Sequence, residues 1–161
     1  MIMGWREDDY YFERTEALAR EAMKAGDDGF ACVLVGPEGD ILMEQKNEAG
    51  TQKDPTAHDV MALVRRAVHE YSPGQLQECT VYALMEPCVM CMGALFWAKI
   101  GRVKYAMSEE SMNRMLPGGL EIHSAEFADR CPAPMESLPR IPERPEAVEI
   151  VKEWIQSLGI G

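Results

Sequence analysis

The apolar positions of this chain change their period several times, and each change marks an element. Between residues 8 and 25, Tyr11, Phe12, Thr15, Leu18, Ala19, Ala22 and Met23 fall at helical spacing, and Gly26 stops the pattern. "FACVLV" (30–35) is a continuous apolar run of strand length. "GPEGD" after it is a hairpin turn, and "ILMEQ" is the return strand. Residues 47–54 form a polar loop. The spacing then predicts a helix from Thr56 to Tyr71, stopped by "SPG". It predicts a strand over "CTVYAL" (79–84), a helix over 88–99 opening just after Pro87, an alternating strand over "RVKYAM" (102–107) and a short helix over 108–115. Residues 117–145 carry Gly and Pro with little periodicity. An amphipathic helix over roughly 145–157 follows, and Gly159 ends it.

The order is α-β-β-α-β-α-β-α-loop-α. Strands separated by helices favour a sheet covered on both faces, its first two strands an antiparallel hairpin. The expectation is one domain over 1–161, an α/β fold of three α/β/α layers around a mixed central sheet of about five strands. Residues 117–161 form its C-terminal tail.

Composition narrows the class. Hydrophobic residues make up 47% and charged residues 27% of the 161, ordinary values for a globular chain. No apolar run approaches the ~18 residues of a membrane span. The start, "MIMGWREDDYYFER", has neither a basic nor an apolar leader region, so a cytoplasmic location is expected. The net charge of −11 repels phosphate backbones, and Arg65-Arg66 and Lys99/Arg102/Lys104 are too sparse to overrule it. Nucleic acid is therefore a poor first substrate.

Five cysteines, an odd number, argue against a disulfide framework. Cys32 and Cys79 lie in strand-like apolar runs and read as core residues. Cys131, in a Pro-rich loop, carries no assignment. Cys88 and Cys91 form a C-x-x-C at a helix N-terminus, where the dipole and free N–H groups favour thiolate. His58, in "PTAHDVMAL", opens another helix. Alone, this C-x-x-C also reads as a redox pair or as two packed cysteines; taken with His58, the three residues offer three ligands and leave a fourth position open, the arrangement of a catalytic rather than a structural zinc.

With "FACVLVGPEGDIL", "KNEAGTQKDPTAH" and "CTVYALMEPCVMCMGALFWAKIGRVKYA" in view, the chain resembles the cytidine deaminase-like superfamily. Within it, the resemblance is strongest to the guanine deaminase, nucleoside deaminase and tRNA adenosine deaminase branch. It covers about residues 15–110, with "DPTAH" and "EPCVMCMGA" its most specific parts. The first strand departs from the branch, reading "GFACV" where "PFGAV" is common. The resemblance implies Zn²⁺ at His58, Cys88 and Cys91. It also implies a substrate contact at Asn47, and pocket-lining backbone at Ala57–His58 and Pro87–Cys88. Read from the residues alone, Asn47 is equally a turn former.

The zinc deaminase signature is H-x-E…P-C-x-x-C, with the glutamate moving protons. Here it reads His58-Asp59-Val60. Valine moves no proton, and loss of general acid–base help costs roughly 10²–10⁴-fold. One expectation is an active enzyme with a relocated acid, Asp59 or Glu86, or Glu121 or Glu126 from the tail. Asp59 is also simply a first-turn acid that suits the helix dipole. The active reading implies hydrolysis of the exocyclic amine of a small nucleobase, nucleoside or related heterocycle, purines preferred. The alternative is a catalytically inactive partner or binding protein that kept its zinc for stability, as the pseudocatalytic subunit of the eukaryotic tRNA adenosine deaminase also looks. "MCMGALFWAKI" carries more apolar surface than one core face needs, so Phe96 and Trp97 are read as core or interface aromatics and a homodimer is expected.

Overall fold

The structure, a computed structural model, describes residues 5–160; residues 1–4 of the leading segment and residue 161 lie outside them. Seven helices and five strands follow in the order α1 (Trp5–Lys24), β1 (Ala31–Val35), β2 (Ile41–Lys46), α2 (Asp59–Glu70), α3 (Pro73–Gln77), β3 (Thr80–Met85), α4 (Val89–Ala98), β4 (Arg102–Met107), α5 (Glu109–Met115), α6 (Ser124–Asp129), β5 (Glu136–Pro139) and α7 (Pro145–Ser157). The strands form one sheet in the order β2-β1-β3-β4-β5. β1 runs antiparallel to both β2 and β3, whereas β3, β4 and β5 are mutually parallel.

The side-chain alternation of the strands builds two separate cores. Cys32, Leu34, Val81, Ala83 and Val103 face one way and pack with Leu63 and Ala67 of α2 and Met92 and Leu95 of α4. Ala31, Val33, Val35, Tyr82 and Leu84 face the other way, toward Phe12 and Ala19 of α1 and Ile150 and Val151 of α7. This is the expected three-layer α/β/α arrangement around a mixed sheet. β1 is buried along its whole length because both layers cover it, which is why its sequence shows no alternation.

Three details differ from the expected elements. The second helix begins at Asp59, not Thr56. The Asp54 carboxylate accepts both the N–H and the hydroxyl of Thr56, and Asp54 O accepts from Ala57 N, so a closed turn occupies that stretch. "SPG" stops α2 and also starts α3, through a capping box between Ser72 and Gln75. The stretch 117–145 holds α6 and the edge strand β5, both too short to show a period. Gly29, where the branch has proline, lies against α1 and α7: a Cβ there would meet Met23 Sδ at 2.9 Å. Among the described residues, no helix is long and apolar enough to cross a membrane.

Candidate metal centre and its cavity

The site lies at the carboxyl ends of β3 and β4, where the antiparallel and parallel parts of the sheet meet and the chain turns outward on each side. β3 ends at Met85 and delivers Glu86, Pro87 and Cys88 to the start of α4; β4 ends at Met107 and delivers Ser108 to the start of α5. Cys88 is the N-cap of α4, so Cys91 lies in its first turn. His58 is the N-cap of α2, with φ −59° and ψ 153°. Its extended backbone sets the histidine off the helix axis toward the two thiols.

The three ligand atoms form a nearly equilateral triangle. His58 Nδ1 is 3.6 Å from Cys88 Sγ and 3.6 Å from Cys91 Sγ, and the two sulfurs are 3.7 Å apart. A tetrahedral zinc-sized ion, with bonds of about 2.3 Å to sulfur and about 2.0–2.1 Å to nitrogen, requires edges of about 3.6 Å and about 3.8 Å. The triangle matches one face of that tetrahedron, so the side chains can hold a metal without moving. Hydrogen bonding from Cys91, then from His58, holds the Cys88 thiol well below its ordinary value, and the hydrogen bond to Cys88, then burial, drives Cys91 up. The Cys88 sulfur likewise holds the His58 imidazole above its ordinary value. A metal ion held by these three residues would supply the counter-charge to the thiolate.

Beside the triangle is a cavity of about 100 Å³ lined by Asp28, Phe30, Asn47, Asp59, Val60, Met85, Glu86, Glu109 and Met112 together with the ligands. Asn47 is on this wall. Its Oδ1 accepts from Ala49 N at 3.0 Å, so its NH₂ group is what it can offer a ligand. Turn former and pocket residue are thus one and the same here. Ala57 is absent from the wall; its N–H donates to Asp54 O and its carbonyl accepts from Glu48 N.

The acids expected from sequence take distinct places. Val60 is 2% exposed, packs in the α2/α4 core and also reaches the cavity wall. Asp59, next to it, is buried; burial raises its carboxyl to about 6 against the opposing pull of the Cys32 thiol, the His58 charge and the first amides of α2. Glu86 lines the cavity, but both oxygens are engaged. Oε1 accepts from Glu109 N at 3.0 Å, and Oε2 accepts from the N–H and the hydroxyl of Ser124. It ties the first residues of α5 and α6 to the end of β3. Glu121 and Glu126 are exposed and absent from the wall.

Sequence reasoning passed over Glu109. "SEE" (108–110) reads as a cap and two first-turn acids, and Ser108 does cap α5 by accepting from Ser111 N. Yet Glu109 is buried at 8% exposure, and its Oε2 has no hydrogen-bond partner among the described residues. Asp28, also unremarked in the sequence, accepts from Trp154 Nε1 at 3.1 Å, while Phe30 packs on the Trp154 ring. In this way α7 supports the far wall.

A histidine and a cysteine at helix N-caps, with a second cysteine in the following turn, meet at the switch point of a mixed five-stranded sheet, the arrangement of a deaminase-type fold. Residues 5–107 match the cytidine and deoxycytidylate deaminase zinc-binding region, and the chain belongs to that family. It is 39% identical to the guanine deaminase of Bacillus subtilis over 97 residues, a match spanning 60% of this chain and 62% of that protein. The solved guanine deaminase from Bacillus subtilis superposes with a TM-score of 0.60 at 27% identity, covering 92% of this chain and 93% of that one. A solved structure from work on A-to-I editing by tRNA:A34 deaminases superposes with a TM-score of 0.70 at 26% identity, covering 88% and 99%.

Proposed function

We propose that the protein is a zinc-dependent hydrolytic deaminase of a small amine-bearing heterocycle, with purine bases preferred. The observation that carries this reading is the ligand triangle, whose edges of 3.6, 3.6 and 3.7 Å already have the size a tetrahedral zinc needs. Three ligands leave a fourth position, and the cavity lies beside it. Zinc at this place would supply the activation of a water molecule near neutral pH.

The rest of the work falls to side chains. Phe30 offers an aromatic face and Asn47 an NH₂ donor to a heterocycle in the cavity. Among the described residues, the wall contains Asp28, Asp59, Glu86 and Glu109 and no lysine or arginine. An acidic wall without cations disfavours phosphate-bearing nucleotides and suits a neutral, N–H-rich ring, as does the chain's net charge of −11. Similarity to guanine deaminase supports a purine. Similarity to tRNA deaminases supports the same chemistry on adenine, but the charge of this chain argues against an RNA substrate. Asp59 and Glu86 act as positioning groups: Asp59 lies beside the His58 ligand, and Glu86 shapes the wall.

Val60 favours the rival reading, a deaminase-fold protein without deamination, because it occupies the position from which the family's glutamate works. One experiment separates the two. The zinc-loaded chain is incubated with guanine, adenine, cytosine and their nucleosides, and ammonia is measured. Release from at least one purine is expected. Stoichiometric zinc with no ammonia from any of them overturns the enzyme reading, and tight tRNA binding at physiological salt overturns the small-substrate part.

A further inference from the structure

Deamination moves two protons. A water oxygen bonds to the amine-bearing carbon while one water proton goes to the ring nitrogen. The second proton then goes to the amino nitrogen, the C–N bond breaks with its electron pair on nitrogen, and ammonia leaves behind a carbonyl. One water is consumed and one ammonia is made. Some group at the cavity has to lift each proton and set it down. Val60 has no atom for this. Glu86 has both oxygens committed to the amides of α5 and α6. Asp59 is beside a ligand, packed toward Cys32 on the sheet side.

We propose that Glu109 is the proton carrier of this site and does from α5 what a glutamate at position 60 would do from α2. The inference rests on the deaminase reading above. Three observations support it. Glu109 lines the same cavity as His58, Cys88 and Asn47. It is more than nine-tenths buried, where a carboxyl group is costly unless something uses it. Its Oε2 is without a partner among the described residues, although almost every buried polar atom in a folded chain has one. A void of about 100 Å³ has room for a few waters or part of a ring, so groups on its walls are within reach of one occupant.

The fold also holds Glu109 in place independently of its side chain. Its backbone N–H is clamped by Glu86 Oε1, and Ser108, just before it, donates its N–H to Glu143 Oε2 at 2.7 Å. The carboxyl group thus hangs from a fixed point. Its charged surroundings are the carboxylate of Glu86 from the β3 end, the Cys88 sulfur from α4 and the His58 ring from α2, with Glu143 and Tyr105 close by on the α5 and β4 side. Burial first, then Glu86, then Cys88, push Glu109 up to about 8, while His58 pulls the other way. A divalent cation at the ligand triangle would lower it from there, toward neutrality, where an acid that must both accept and donate works best.

The test uses the full chain loaded with zinc. Wild type, Glu109→Gln, Glu109→Asp, Val60→Glu and the Glu109→Gln/Val60→Glu double variant are assayed for ammonia release across pH. In parallel, the Glu109 side-chain carboxyl is followed by carbon-13 NMR in the apo and zinc-loaded chains, its signal assigned by its absence from Glu109→Gln. Glu109→Gln is expected to keep its zinc and its KM within about threefold and to lose kcat by on the order of 10²–10⁴-fold, together with one limb of the pH profile. Glu109→Asp retains part of the rate, and the double variant regains part of it. Zinc is expected to move the Glu109 titration midpoint downward.

If Glu109→Gln keeps kcat within threefold of an active wild type, the inference fails and the deaminase reading stands. If wild type is silent and Val60→Glu is active, Glu109 does not serve as the acid and the inference fails. If every variant is silent, the deaminase reading fails. The NMR arm then decides the remaining claim: a Glu109 midpoint that zinc does not move places this carboxyl outside the reach of the site.

Discussion

The side of the cavity that could hold a metal and its acid side are assembled differently. The metal side comes from two short stretches, His58 and Cys88–Cys91, each fixed by the opening turn of its own helix. The acid side comes from Asp28, Glu86 and Glu109, which belong to a loop before β1, the end of β3 and the start of α5. They meet only because the sheet brings those segments to one edge and Glu86 ties α5 and α6 to it. The first side needs only two helix openings and the packing of α2 on α4 that brings them together. The second is tertiary, and the C-terminal third of the chain has to be in place for it to exist.

Breaking the metal side should have the largest effect. Cys88→Ala removes one corner of the triangle and the thiolate that pairs with His58. Zinc is expected to fall from one per chain to well below stoichiometric. Ammonia release is expected to drop by more than about 100-fold, the most that losing a ligand's outer hydrogen-bond partner costs. Metal analysis and the deamination assay check this together. Full zinc in Cys88→Ala would show that the triangle is not the metal site.

Breaking the acid side through its tie should cost stability rather than metal. In Glu86→Gln one oxygen becomes an NH₂ group that faces amide donors. Hydrogen bonds to a charged group contribute about 1.5–3 kcal/mol each, so a loss of about 2–4 kcal/mol is expected. Zinc content should stay at wild-type level. Urea unfolding with an unchanged slope measures the loss. A loss below about 0.5 kcal/mol would mean that α5 and α6 are held by something other than Glu86.

The same contrast explains what the sequence could disclose. His58, Cys88 and Cys91 were legible because a metal site needs rare side chains at fixed local spacing, and because strands and helices near them are long enough to show their period. That Asn47 lines the cavity was legible through the resemblance alone. Glu109 was not, because a cap followed by acids is the ordinary opening of a helix and nothing in "SEE" says that one acid is buried. The placement of α2 slipped by three residues because Asp54 closes a turn with its side chain, which hydrophobic spacing does not record. β5 and α6, with four and six residues, are too short for any period to emerge. Their position is dictated by Ser124 and Ser137, whose hydroxyls are 2.7 Å apart beside Glu86.

The α4 surface adds a third region to the comparison. Inward, Cys91, Met92 and Leu95 join the core; outward, Trp97 is 78% exposed and packs edge-on against Phe96 at 5.1 Å. We propose that this face meets a second copy of the chain. Sedimentation is expected to give twice the 18.0 kDa of one chain. Trp97→Glu should weaken the association by about 30-fold, since a central aromatic at an interface is worth about 2 kcal/mol or more. An unchanged dimer in that variant would place the interface elsewhere, and a single-chain mass at micromolar concentration would remove it.

The smallest effect is expected at the outer edge of the acid side. β5 pairs with β4 over Arg102↔Glu136 to Tyr105↔Pro139, and the Arg102 guanidinium reaches Glu136 Oε1 at 3.1 Å. This ion pair looks like a fastener for the tail, but both side chains are about half exposed, at 51% and 52%. Water screens such a pair, and holding two long side chains in one geometry costs entropy, so exposed pairs contribute about 0.2–1 kcal/mol. Arg102→Met keeps the packing of the side-chain stem and removes the charge. It should lose less than about 1 kcal/mol in urea unfolding, and the difference from wild type should shrink further in 1 M salt, where the screening length falls to about 3 Å. The tail would then be held from within, through Glu86, Ser124 and Ser137, rather than from its edge. If Arg102→Met instead costs as much as Glu86→Gln, the edge fastens the tail, and the acid side of the cavity owes its position to the β4–β5 ladder.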